Sequence, residues 1–251
     1  MKNSITVSIY VLIVICFSAC CKEEAEDPIA LGNITVDLDA SKPTVRTKEA
    51  LIGNMICDAV KSDAGRRGKV VDFSIMNGGG IRFNEQSRPS GIYPAGLFTS
   101  DMIEEMLPFG NASVVVKVTG KELKSIFERS VAQLPVAKGP FLQVSKELKI
   151  IIDTTKPPQI INDLVEPNII VSNGSRIISI KINNVEYDSL ATYTLVTSDF
   201  IAEGNDGYVT FKNISPDKKE NLGDDQSGAV KEYIILNTPV TPIIEGRIIY
   251  Q

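Results

Sequence analysis

The chain has 251 residues, a net charge of −5 at pH 7 and no histidine. The acidic balance disfavours a nucleic-acid backbone as partner, and the missing imidazole removes Ser-His-Asp and Cys-His catalysis and His-ligated zinc. Cys16, Cys20 and Cys21 lie at the start and only Cys57 lies in the body of the chain, so the cysteines give no disulfide framework.

Lys2 and the apolar run from Ile5 to Phe17 have the form of a signal sequence, with an h-region short for a bilayer span. The FSAC that follows resembles the lipobox of bacterial lipoproteins. It predicts a signal peptide over residues 1–19 and a lipidated Cys20, with Cys21 as the alternative acceptor. A plain signal peptide cut nearby, or an uncleaved anchor, is the competing reading. Several acyl chains on one cysteine anchor stably. KEEAEDP then reads as part of an acidic tether over residues 20–35, ahead of one domain over residues 36–251. The expected location is a membrane, on the periplasmic or cell-surface face.

Within the domain, LIGNMICDAVKSD carries apolar residues at helical spacing, and Gly65 is expected to end that helix. Cys57 falls inside it, as a small buried residue. KVVDFSIM reads as a strand, TSDMIEEML as a short helix stopping before Pro108, and SVVVKV as a strand. Thr119 and Glu122 fit a capping box that opens a helix carrying Leu123, Ile126, Phe127 and Val131. ELKIIID, NIIVS, RIISIKI, VEY and TYTLVTS are strand-like, with Asn183-Asn184 as a hairpin turn. DDQSGAVKEYIILN reads as a last helix and GRIIYQ as a last strand. Helices and strands mix without strict alternation. This predicts a single α+β domain with a mixed, largely antiparallel β-sheet and packed helices.

Four glycine-bearing stretches are read as loops at the ends of these elements: NGGGIR, LPFGN, GPFLQVS and DFIAEGNDGY. NGGGIR places three glycines between an amide and an arginine. Such a strand end admits another backbone or a ligand at close range, or is simply a tight turn. Phe109 and Phe200 could sandwich a flat base, each stack contributing roughly 1–3 kcal/mol. Asn77 and Asn111 could read a base edge, Asp206 could accept from ribose hydroxyls, and Arg46 and Arg82 could hold phosphate oxygens. Each residue alone reads equally well as a core satellite, a turn or a solvated charge; only the set supports a ligand. No compact acidic ligand run suggests a metal.

Taken in order, Arg46 with GNMICDA, then MNGGGIR, LPFGN, VTGKEL, GPFLQVS and SDFIAEGNDGY resemble the C-terminal, substrate-binding domain of the 5′-nucleotidase/UDP-sugar hydrolase family. The resemblance runs from about Thr44 to the C-terminus. It implies that Phe109 and Phe200 stack on the base, and that Asn77 and Asn111 make polar contacts near base or ribose. It further implies that Asp206 binds ribose and that Arg46 and Arg82 reach ribose or phosphate. Gly139 would lie beside the base, and Gly79 within NGGGIR would let substrate rest on bare backbone. In that family a separate N-terminal metallophosphoesterase domain carries two metals. Fewer than about 30 residues separate Cys20 from Arg46, too few for such a domain. The expectation is therefore a nucleoside- or nucleotide-binding half of a split 5′-nucleotidase, with no cofactor of its own and no hydrolysis alone. The divalent metals would sit on a separate metallophosphoesterase chain. The alternatives are a non-catalytic surface lipoprotein that captures nucleotides, and a structural or adhesive lipoprotein with a relic pocket.

Overall fold

A five-stranded sheet forms the centre of the computed structural model, which describes residues 27–162, 164 and 169–251. The expected signal peptide, the lipidation site Cys20 and most of the acidic run lie outside the described residues. In spatial order the strands are Lys219–Asp225, Ala112–Thr119, Thr192–Ser198, Phe73–Asn77 and Leu142–Val144. Only Thr192–Ser198 and Phe73–Asn77 run parallel within it. A four-stranded sheet, ordered Val185–Glu186, Ile177–Ile182, Leu148–Ile152 and Ile248–Tyr250, packs beside it. Seven α-helices among the described residues complete a mixed domain, as the sequence pattern predicts.

The central sheet separates two apolar clusters because side chains alternate across a strand. Val114, Val116, Val118 and Leu195 face one cluster; Val115 and Val196 face the other. Helix Leu51–Arg66 buries Ile52, Met55, Ile56 and Val60 on the second face. Helix Gly120–Val131 buries Leu123, Ile126, Phe127 and Val131 on the first. The Thr119–Glu122 capping box is present: Glu122 N–H donates to Thr119 Oγ1 at 3.3 Å, and Thr119 N–H donates to Glu122 Oε2 at 2.7 Å. Asn183 and Asn184 turn the hairpin with φ of 52° and 63°, the left-handed pair a two-residue connection favours.

Several elements differ from the sequence reading. Ala30–Ile34, placed in the tether, is a strand antiparallel to Gly96–Thr99, so the folded body begins before residue 36. The first long helix passes through Gly65 to Arg66, because nothing there demands a left-handed φ. Val70 and Val71 lie outside the strand that starts at Phe73, and Val70 is exposed. Within GPFLQVS, Leu142–Val144 pairs with Phe73–Asn77. Within DFIAEGNDGY, Asp199–Ala202 is a helical turn capped by the Ser198 hydroxyl.

Candidate functional site

The two parallel central strands end side by side, at Asn77 and Ser198, and the antiparallel Ala112–Thr119 begins at the same edge. Three of the glycine-bearing segments therefore meet there. The fourth arrives by main-chain bonds: Gly78 N–H donates to Phe141 O at 2.6 Å, and Gly79 N–H to Gly139 O at 2.9 Å. Together they enclose a cavity of about 540 Å³. Its lining contains every one of the predicted positions, Arg46, Asn77, Gly79, Arg82, Phe109, Asn111, Gly139, Phe200 and Asp206, and also Gly80.

Gly78 and Gly79 of NGGGIR are required by close packing of protein on protein. None of the three has a left-handed φ. A Cβ at Gly78 would collide with the Val45 carbonyl oxygen, and one at Gly79 would lie 2.9 Å from Gly139 Cα. One at Gly80 would lie 2.7 Å from Met76 Cε. Of the readings of NGGGIR as a place where another backbone or a ligand comes close, the approach of other backbone is what these contacts show. Gly78 and Gly79 let the Arg46 segment and the Gly139 segment close onto the strand end, and Gly79 and Gly80 then face the cavity.

Gln143 fixes the Arg46 segment. Its buried amide donates to Val45 O at 2.9 Å and Lys48 O at 2.8 Å and accepts from Ala50 N–H at 3.0 Å. A glutamine between leucine and valine in a buried strand was the signal for it, and the sequence reading passed it over. Arg46 is half-buried. Burial, and then the nearby Arg82 charge, push its guanidinium below the ordinary arginine range, while Asp206 opposes them. Arg46 Nε is buried without a hydrogen-bond partner among the described residues, as is Asn77 Oδ1. Both atoms belong to residues that line the cavity, and both are shielded from solvent.

Arg82 lies over the Phe109 ring, with its guanidinium carbon 5.1 Å from the centroid. It steadies that ring by a cation–π contact as well as lending charge to the cavity. Gly110, at φ 61°, makes the turn that separates Phe109 from Asn111. Phe109 and Phe200 are 56% and 37% exposed, so neither ring is spent on the core. Asp206 sits at a left-handed φ of 56°, in a short turn over Asn205–Gly207. Asn77 Nδ2 donates to its Oδ2 at 2.8 Å, and Arg129 Nε donates to its carbonyl at 2.9 Å. Arg129 is a second residue the sequence did not single out. The Tyr208 hydroxyl donates to Pro140 O, tying the Asp206 turn to the Gly139 segment.

The donor set does not fit a metal: among the described residues no three His, Cys, Asp or Glu side chains are grouped to hold one. The Cys57 thiol is buried, and that burial pushes its pKa up, away from the reactive thiolate. What the cavity can do is hold a flat, partly anionic molecule between two rings, two guanidinium groups and a carboxylate.

Residues 30–213 match the family model for the 5′-nucleotidase C-terminal domain. The human 5′-nucleotidase is 30% identical over 226 residues, covering 87% of this chain and 36% of that protein. A snake venom 5′-nucleotidase from Macrovipera lebetinus is 29% identical over 233 residues, covering 88% and 52%. The chain thus spans between about a third and a half of the length of these relatives. Among solved structures, a 5′-nucleotidase precursor from Thermus thermophilus superposes with a TM-score of 0.74 at 28% identity, over 88% of this chain and 39% of that one. The Haemophilus influenzae NAD nucleotidase superposes at 0.68 with 17% identity, over 88% and 38%, a likeness of fold. With the family model spanning most of the folded residues and the same fold seen in a solved relative, the chain belongs to the 5′-nucleotidase C-terminal domain family.

Proposed function

We propose that this domain binds a nucleoside or nucleotide in the cavity at the strand ends and supplies substrate specificity to 5′-nucleotidase-type phosphate-ester hydrolysis. The observation that carries the reading is the convergence of nine positions from five segments of the chain on one cavity of about 540 Å³, within the range of small-ligand sites. In this reading Phe109 and Phe200 hold the base by stacking, and Asn77 and Asn111 read its polar edge. Asp206 accepts from the ribose hydroxyls, while Arg46 and Arg82 draw the phosphate toward the cavity mouth. The phosphoryl transfer is assigned to a metallophosphoesterase unit on a separate chain, and this chain holds and orients. The FSAC motif supports placing the protein on a membrane through lipid at Cys20, facing the periplasm or the cell exterior.

The test is calorimetric titration of the protein from Lys22 onward with adenosine and with AMP. Saturable binding that disappears in the Phe200→Ala/Asp206→Ala double variant supports the reading, and no binding at millimolar ligand overturns it as stated. Phosphatase activity that rises on mixing with a metallophosphoesterase chain supports the split enzyme. Tight binding with no such gain favours capture of nucleotides without chemistry.

A further inference from the structure

The chain contains two Asn-Gly pairs, Asn77-Gly78 at the cavity and Asn173-Gly174 in the connection between strands Ile169–Ser172 and Ile177–Ile182. Such a pair carries a reaction of its own. The glycine nitrogen can attack the side-chain carbonyl carbon of the asparagine, since no Cβ on the glycine hinders the approach. The attack needs a main-chain N–H free to lose its proton and an amide free to turn toward it.

The fold treats the two pairs in opposite ways. Asn77 is 2% exposed and its Nδ2 donates to Asp206 Oδ2 at 2.8 Å, while Gly78 N–H donates to Phe141 O at 2.6 Å. Nucleophile and electrophile are both held. Asn173 is exposed, and neither its side chain nor the Gly174 N–H makes a hydrogen bond among the described residues. Both residues line an open cavity of about 420 Å³, so solvent reaches the amide. The glycine there is demanded by the fold: its φ is 73°, and a Cβ would lie 2.5 Å from Gln159 N and 2.8 Å from Glu128 Oε2.

We propose that Asn173 is a site of spontaneous deamidation. The Gly174 nitrogen gives its proton to hydroxide and bonds to Asn173 Cγ. The Cγ–Nδ2 bond breaks, and the amide nitrogen takes a proton from water and leaves as ammonia. Water opens the resulting cyclic imide at either carbonyl, leaving aspartate or isoaspartate and one more negative charge. Isoaspartate also adds a carbon to the main chain just ahead of three fixed amides. Ser175 N–H donates to Pro157 O at 2.9 Å, and Arg176 N–H and Ile177 N–H donate to the Glu128 carboxylate at 2.9 and 3.0 Å. Those bonds seat the four-stranded sheet on helix Gly120–Val131, so the reaction loosens that seat.

The test ages the folded protein, from Lys22 onward, in mildly alkaline buffer and follows the Asn173 and Asn77 peptides by mass spectrometry after digestion. Two hydrogen bonds of about 1 kcal/mol each hold the Asn77 pair, so Asn173 is expected to convert at least about tenfold faster. Its products are aspartate and isoaspartate, told apart by fragmentation. In denaturant the two rates are expected to converge, which assigns the difference to the fold. Asn173→Gln removes the mass change at that peptide. An Asn173 amide that persists, equal rates in the folded protein, or a gap that survives in denaturant would each overturn the proposal.

Discussion

Asn77 and Asp206 are 129 residues apart in sequence and joined by a hydrogen bond of 2.8 Å. The amide at the end of a central strand thereby holds the carboxylate of a turn whose own φ of 56° few residue types tolerate. Asparagine tolerates that conformation and keeps an acceptor oxygen. Asp206→Asn is therefore expected to fold with stability within about 1 kcal/mol of the parent, and to lose roughly tenfold in nucleoside affinity with its charge. Asp206→Ala loses on both counts. Chemical denaturation and titration measure the two effects, and undiminished binding by Asp206→Asn would remove Asp206 from the site.

Phe109→Ala and Phe200→Ala separate binding from folding. Both rings are substantially exposed, so each truncation is expected to cost under about 1 kcal/mol of stability. Each stack on a base contributes roughly 1–3 kcal/mol, so affinity falls about 5- to 150-fold. A variant that melts early but binds normally would show the ring to be a core satellite.

Gly78→Ala and Gln143→Leu attack the same contact from two sides, the seat of the Val45 carbonyl. The first forces a Cβ into that oxygen. The second leaves Val45 O, Lys48 O and Ala50 N–H without their amide partner. Each is expected to destabilise by about 2 kcal/mol or more, read by denaturant titration. Near-native stability for Gly78→Ala would mean that the Arg46 segment is free to move.

Glu105 supplies a pH test. Burial acts to raise its pKa, but the Asn84 N–H, Arg88 and the Tyr93 hydroxyl outweigh burial and hold it below the ordinary glutamate range. A depressed folded-state pKa contributes stability that is present above the unfolded pKa and is lost as pH falls through the folded one. Glu105→Gln is thus expected to be less stable at neutral pH, by at most about 1 kcal/mol for a partly exposed group. The gap should close in acid, below the ordinary glutamate pKa. A difference independent of pH would assign the effect to packing.

Cys20→Ser tests the anchor. Growth with labelled palmitate is expected to mark the parent and not the variant, with Cys21→Ser as control. Label surviving in Cys20→Ser but lost in Cys21→Ser would move the acceptor by one residue.

The parts of this fold that the sequence announces are those where local chemistry and burial agree. Leu51–Arg66 has its apolar stripe, Thr119 and Glu122 cap each other, and Asn183-Asn184 accept left-handed φ. Lys219–Asp225 is silent, because an edge strand of mostly exposed polar residues is held through main-chain pairing to Ala112–Thr119 and has no apolar alternation to show. Asp199–Ala202 is too short for a helical period, so Phe200 reads as a loop residue. The rings, amides and charges that line the cavity stood out because such residues beside glycines are poor core material, and Gly139 came only with the family resemblance. Gln143 and Arg129 did not stand out, since each acts through a partner distant in sequence.

The cavity lies on the seam between the two apolar clusters. Arg46 and Phe109 adjoin residues of one, and Phe200 and Asp206 adjoin residues of the other. A ligand seated there bridges segments from residue 46 to residue 206, and its binding energy bears on the whole cooperative unit. Occupancy at a hundred times the dissociation constant would add about 2.7 kcal/mol to global unfolding. Resistance to proteases across the domain, far from the site, would then report the concentration of the ligand around it.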